Sequence, residues 1–138
     1  MKRSKRHNRK VSNKDLMSSH CFIAKINSAQ EYESVFCADG HPEYTGSTLN
    51  YHYKNESKAY QLIQEGDIST LGKDIAQTKF YDEDYGFIRP FNEFETMVDY
   101  YRQCGCTYGY IFAKREWNAI HITDTGTNTV KLNSLTNA

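Results

Sequence analysis

The sequence contains no apolar run that approaches the ~18 residues a membrane-spanning helix needs. No apolar stretch follows the charged start, as a secretory signal would require. The basic residues there also lack the amphipathic repeat of a mitochondrial presequence. These absences predict a soluble, cytoplasmic protein with no membrane partner.

The sequence also lacks the short motifs of several enzyme classes. It has no Gly-Lys-Ser/Thr phosphate loop, no Gly-x-Ser-x-Gly elbow, no zinc-protease histidine pair and no Cys-x-x-Cys pair. Cys104 and Cys106 are spaced too closely for the usual zinc pair, and Cys21 and Cys37 fall in apolar runs. We therefore expect reduced, buried thiols, no metal and no cofactor. Binding is favoured over catalysis, although the sequence alone leaves enzymatic activity open.

A formal net charge of zero hides an uneven distribution along the 138 residues. Residues 1–14 hold seven Lys and Arg and no acid, so residues 15–138 carry a formal charge of −7. A charged run without apolar periodicity predicts a disordered basic arm over residues 1–18. The arm would solubilise the protein, dock on the acidic body of a neighbouring subunit in a homo-oligomer, or hold nucleic-acid phosphates. Its nucleic-acid or partner contacts would be Lys2, Arg3, Lys5, Arg6, Arg9 and Lys10.

Apolar periodicity predicts a single α+β domain over residues 19–124. Its largely antiparallel sheet would be built from two hairpins, at about residues 20–37 and 107–123. Two or three helices between the hairpins would pack on one face of the sheet. Residues 125–138 would form a flexible tail or add a strand to a partner.

Two of the expected helices carry boundary signals. Asn55 is the expected cap of one helix, and Gly66 is its stop. Asn92 is the expected cap of the other, which presents an apolar stripe and ends at Gly105. The stripe consists of Phe94, Met97, Val98 and Tyr101.

Two turn-forming segments, residues 39–46 and 66–72, hold the candidate ligand-binding side chains. Asp39 is expected to accept amides in its own turn and to cap the helix that follows. Asp67 is expected to cap a short helical turn. Both segments would fold back on the hairpins, so that their polar groups meet on one rim. The candidate ligand-binding residues are Asp39, His41, Glu43, Tyr44, Asp67 and Ser69.

The same two segments carry a family resemblance. Residues 39–46 read Asp-Gly-His-Pro-Glu-Tyr-Thr-Gly, and residues 66–72 read Gly-Asp-Ile-Ser-Thr-Leu-Gly. Their order and spacing resemble a family of small uncharacterised bacteriophage and prophage proteins, over about half the chain. Cys37, Ala38 and His41 depart from the family pattern, which has His, an aromatic residue and Tyr there. The resemblance implies a phage origin and the host cytoplasm, but no known chemistry.

Three functions follow from these observations. The resemblance, the small size and the tyrosine-rich faces favour a phage-encoded, non-enzymatic binding protein. It would engage a host protein or a small signal molecule and so counteract host defence. One alternative is a nucleic-acid-binding accessory protein that uses the basic arm. The other is a small metal-dependent hydrolase or nuclease built on Asp39, His41 and Asp67.

Overall fold

A computed structural model describes residues 19–81 and 87–132 of the chain. This part forms an eight-stranded mixed sheet and three α-helices, which confirms the α+β prediction. The strands are β1 (His20–Ile26), β2 (Tyr32–Cys37), β3 (Ile68–Thr70), β4 (Lys79–Phe80), β5 (Arg89–Phe91), β6 (Cys106–Ala113), β7 (Glu116–Ile122) and β8 (Thr127–Val130). The helices are α1 (Ser47–His52), α2 (Glu56–Gln64) and α3 (Phe94–Gln103).

The two expected hairpins form the centre of the sheet. β1 pairs antiparallel with β2, and β6 pairs antiparallel with β7. The strand order is β4-β3-β2-β1-β6-β7-β8, and β5 pairs with β2 beside this path. β1 and β6 are parallel, so both hairpin turns lie at the same end of the sheet. That parallel contact places the two hairpin turns side by side.

The helices cover both faces of the sheet rather than one, because both faces of β1 are apolar. Cys21 and Ile23 belong to the core that contains residues of α1 and α2. Phe22 and Ala24 belong to the core that contains residues of α3. A strand whose successive side chains are all buried needs a layer of structure on each side. The expectation of helices on one face therefore differs from the structure.

Most helix boundaries follow local sequence signals. The Asn55 side chain caps α2 by accepting a hydrogen bond from the Lys58 amide at 2.8 Å, and Gly66 follows the helix with φ 96°. α3 departs from prediction at its start, where Glu93 rather than Asn92 is the cap residue and no side chain caps the helix. β5 ends only at Phe91, so residues 92–93 are needed to turn the chain into the helix.

Asp67 does not start a helical turn as expected, because β3 begins at the next residue. Ile68 pairs in parallel register with Cys37 of β2, and both side chains are fully buried. Burial of Ile68 in the sheet therefore overrides the local capping preference of Asp67.

Part of the predicted tail belongs to the chain's own sheet. β8 pairs antiparallel with β7, through a turn in which Thr123 and Gly126 hydrogen-bond each other. The Leu132 side chain that follows is buried in the core. Residues 127–130 therefore extend this sheet rather than a partner's.

No helix in residues 19–81 and 87–132 has the length and apolar character needed to cross a membrane.

Two fully buried tyrosines make the fold sensitive to alkaline pH. The Tyr101 hydroxyl lies 2.9 Å from that of Ser34, and the Tyr110 hydroxyl donates to the Gly40 carbonyl at 2.8 Å. Burial is the main cause that raises the pKa of each phenol above its ordinary value of 10.

We expect stability to fall as pH rises above about 10. There the unfolded chain releases the two phenol protons while the folded chain keeps them, which costs about 1.4 kcal/mol per pH unit for each tyrosine. Urea unfolding at several pH values, with tyrosinate absorbance as a second readout, measures this. Ionisation of every tyrosine at the ordinary pKa without unfolding would contradict it.

Candidate functional site

The predicted segment at residues 39–46 forms a short helical turn whose backbone is held internally. The Asp39 carbonyl accepts hydrogen bonds from the Thr45 hydroxyl and, at 3.2 Å, from the Cys37 thiol. The cap of the turn is His41 rather than Asp39, since the His41 Nδ1 accepts from the Glu43 amide at 3.2 Å. His41, Glu43 and Tyr44 are all exposed.

The second predicted segment reaches the first through one side chain. Tyr44 donates its hydroxyl proton to the Leu71 carbonyl, so residues 39–46 and 66–72 are adjacent. Ser69 is half-buried in β3. The structure therefore brings the two segments together at Tyr44.

Asp67, in contrast, lies in the protein interior. Its side chain is fully buried and accepts two hydrogen bonds of 2.8 Å from the Arg89 guanidinium and one of 2.8 Å from the Phe36 amide. Although burial opposes the charge on Arg89, the hydrogen bonds to Asp67 raise the Arg89 pKa above its usual value. This carboxylate stabilises the junction of β2, β3 and β5, and no ligand reaches it without breaking the ion pair.

Within residues 19–81 and 87–132, no three His, Cys, Asp or Glu side chains are grouped closely enough to hold a metal ion. Cys21 and Cys37 face each other across β1 and β2, and both are fully buried. None of the four cysteines forms a disulfide. Burial is the main cause that raises the pKa of the Cys21 thiol well above its ordinary value, which makes this sulfur a poor nucleophile.

Two open cavities lie at the end of the sheet where the hairpin turns meet α2. The first, which we call the turn cavity, has a volume of about 380 Å³ and includes Phe112, Lys114 and Arg115 in its lining. The second, which we call the helix cavity, has a volume of about 510 Å³ and includes Ser28 and Tyr60. These volumes lie within the usual range of small-molecule sites.

Lys25 lies between the two cavities and lines both. It occupies the same face of β1 as Cys21 and Ile23, and only 7% of its surface is exposed. Its Nζ atom lies 4.3 Å from the centre of the Tyr60 ring. Within the described chain the ammonium makes no hydrogen bond or ion pair with any side chain. A buried cation is ordinarily paired, so this one is an unusual feature of the fold.

The absence of an ion pair has a structural cause. Glu33 lies directly opposite Lys25 on β2, where oppositely charged side chains usually meet. Its carboxylate instead accepts hydrogen bonds from the Asn27 amide at 2.9 Å and the Gln64 amide at 3.5 Å. The Glu33 carboxylate is therefore engaged by these two amides and makes no ion pair with the Lys25 ammonium.

Backbone strain is concentrated around the turn cavity. In the described residues, three non-glycine residues have positive φ: Gln30 (65°), Lys114 (54°) and Arg115 (67°). All three line the turn cavity. A left-handed residue with a Cβ costs about 1–3 kcal/mol, and Asn-Gly is the usual choice for such a two-residue hairpin turn. Lys114 and Arg115 therefore adopt a strained backbone conformation, and their side chains place two cations at the mouth of the turn cavity.

The candidate site residues predicted from the sequence do not include Lys25, Lys114 or Arg115. Two signals were available: a lysine on the apolar face of a strand, and Lys-Arg where a tight hairpin turn favours Asn-Gly. Neither signal reveals that the turns adjoin, because that depends on the parallel contact between β1 and β6.

The predicted arm residues lie outside the described residues; they are Lys2, Arg3, Lys5, Arg6, Arg9 and Lys10.

Comparisons with protein-family profiles, with curated proteins and with solved structures found no match.

Proposed function

We propose that the protein is a non-enzymatic binding protein that takes a small anionic ligand at the junction of the turn cavity and the helix cavity. One observation carries the proposal: the Lys25 side chain belongs to a residue that is only 7% exposed, lines both cavities and has no acidic partner in the described chain. A desolvated charge left in this way is compensated when an anion binds beside it.

The charges around Lys25 favour an anion. The turn cavity is lined by three cations, Lys25, Lys114 and Arg115, and by a single acidic residue, Glu56. Asn27 and Gln30 add amide groups that can donate hydrogen bonds, and Phe112 supplies an apolar wall. Cationic groups, amides and an apolar wall together suit a small organic anion.

Binding is favoured over turnover by the composition of the lining. Among the described residues of the turn cavity there is no histidine, cysteine, serine or tyrosine. Its lysines and Glu56 are the lining residues that could act in catalysis, and they lack the histidine, serine or cysteine partner with which such groups are often combined.

The resemblance of residues 39–46 and 66–72 to phage proteins supplies the biological setting of the proposal. In that setting the ligand is a small signal molecule of the host cytoplasm, and sequestering it counteracts a host defence. Capture of a free ligand by a small binding protein requires no membrane attachment and no chemistry on the ligand.

The proposal is tested by titrating inorganic phosphate into the wild-type protein and into Lys25→Met by calorimetry at low ionic strength and about pH 6, where phosphate is mainly a monoanion. Methionine keeps the apolar stem that packs beside Tyr60 but removes the charge. We expect Lys25→Met to weaken phosphate binding roughly 10- to 100-fold, the loss expected for a charge-assisted contact in a desolvated site.

Lys79→Met is the matched control, because it removes the same charge from an exposed strand residue that lines neither cavity. It should bind phosphate within about twofold of wild type. Equal weakening by both variants would show that net charge alone attracts the anion, and no detectable binding to the wild type would overturn the proposal.

A further inference from the structure

The position of Lys25 between two cavities carries information about the shape of the ligand. The turn cavity and the helix cavity share Lys25, Ile26, Asn27 and Glu56, and each is completed by residues that do not line the other. We infer that the ligand is a phosphodiester, with one negative charge at Lys25 and a substituent in each cavity. This inference rests on the proposed function and specifies its ligand class.

The two cavities differ in the charges that each adds to the shared wall. The turn cavity adds Lys114 and Arg115, whereas the helix cavity adds Glu33. The substituent in the turn cavity therefore carries hydrogen-bond acceptors, and that in the helix cavity carries hydroxyl or amino donors. Tyr60, which is 40% exposed, gives the helix cavity an aromatic side chain against which a flat ring can pack.

The charge on the central group follows from the same residues. Glu56 lines both cavities and Glu33 lies directly across from Lys25, so a second negative charge at Lys25 would meet two carboxylates. A phosphodiester has a single negative charge and two substituents. A phosphate monoester has more negative charge at neutral pH and only one substituent, so it leaves one cavity empty.

A phosphodiester of this kind exists as a free dinucleotide and as a step within a nucleic-acid strand. The cavities hold a few hundred Å³ each, which favours a free ligand with one substituent in each cavity. A strand would have to continue past both substituents.

The test compares three probes by calorimetry: a dinucleoside monophosphate, a nucleoside 5′-monophosphate and a hexanucleotide. We expect the dinucleoside monophosphate to bind at least tenfold tighter than the nucleoside monophosphate, and at least as tightly as the hexanucleotide. A nucleoside monophosphate that binds equally well would overturn the diester inference. A hexanucleotide that binds tenfold tighter than the dinucleoside monophosphate would identify a nucleic-acid strand instead.

A variant that fills only the helix cavity separates this inference from the proposed function. Ser28 is exposed in the first hairpin turn and lines the helix cavity but not the turn cavity. Ser28→Trp should weaken the dinucleoside monophosphate at least tenfold while inorganic phosphate binds within twofold of wild type. Unchanged dinucleoside binding would refute the straddling arrangement and leave the anion site standing. Failure of the wild type to bind any of these anions would refute both.

Discussion

Replacing Asp67 by alanine is expected to lower the free energy of unfolding by about 3–5 kcal/mol, the cost of breaking a buried ion pair from one side. The variant leaves the Arg89 guanidinium, whose side chain is only 15% exposed, without its carboxylate. It also removes the acceptor of the buried Phe36 amide. Urea unfolding followed by circular dichroism measures the change.

The chain supplies a matched exposed ion pair as the control. Asp99 and Arg102 lie three residues apart on α3, and the Asp99 side chain is 62% exposed. Asp99→Ala should cost no more than about 0.5 kcal/mol, as is usual for exposed helix pairs. If Asp67→Ala destabilised the protein as little as Asp99→Ala does, Asp67 would not have the structural role assigned to it.

Replacing Gly109 by alanine is expected to lower the free energy of unfolding by about 1–3 kcal/mol, the usual cost of overpacking a core. A Cβ at this position of β6 would lie 2.3 Å from Cε2 of the buried Phe22. The Phe22 ring in turn stacks on Tyr101 with ring centres 5.0 Å apart, so it has little room to move. The added methyl group therefore forces the whole contact between β1, β6 and α3 to shift.

Gly126→Ala is the control for Gly109→Ala, because a Cβ at Gly126 has no heavy atom within 4 Å. We expect a change within about 0.5 kcal/mol for this surface substitution. Both variants are compared by urea unfolding under identical conditions. If the two variants were equally stable, the methyl group added at position 109 would not clash with the Phe22 ring, which would contradict the structure.

Apolar periodicity in the sequence correctly predicted those parts of the fold that depend on contacts between residues close together in the chain. The stripe of Met97, Val98 and Tyr101 is buried on α3, as its helical spacing indicated. Alternation correctly placed Tyr108, Tyr110 and Phe112 on one face of β6. Parallel pairing of β1 with β6 has no such signal, because it joins strands about 80 residues apart.

The candidate site was harder to predict for the same reason. Asp67 was interpreted as a cap because Asp beside Gly is a common helix-start pattern, whereas its actual partner, Arg89, is 22 residues away. Lys25 was passed over because a single lysine in a strand is usually solvated. Its cross-strand neighbour Glu33 accepts hydrogen bonds from Asn27 and Gln64 instead, contacts that no local pattern encodes. The binding roles of Asp39, His41, Glu43, Tyr44 and Ser69 remain predictions.

The account depends on an anion reaching Lys25, and nuclear magnetic resonance with inorganic phosphate tests this most directly. Phosphate is titrated into the isotope-labelled full-length protein while backbone amide shifts are followed. We expect saturable shifts concentrated in residues 25–27, 30 and 112–115, which line the turn cavity on both hairpins, and their loss in Lys25→Met. Shifts confined to residues 39–46, or none that saturate, would contradict it.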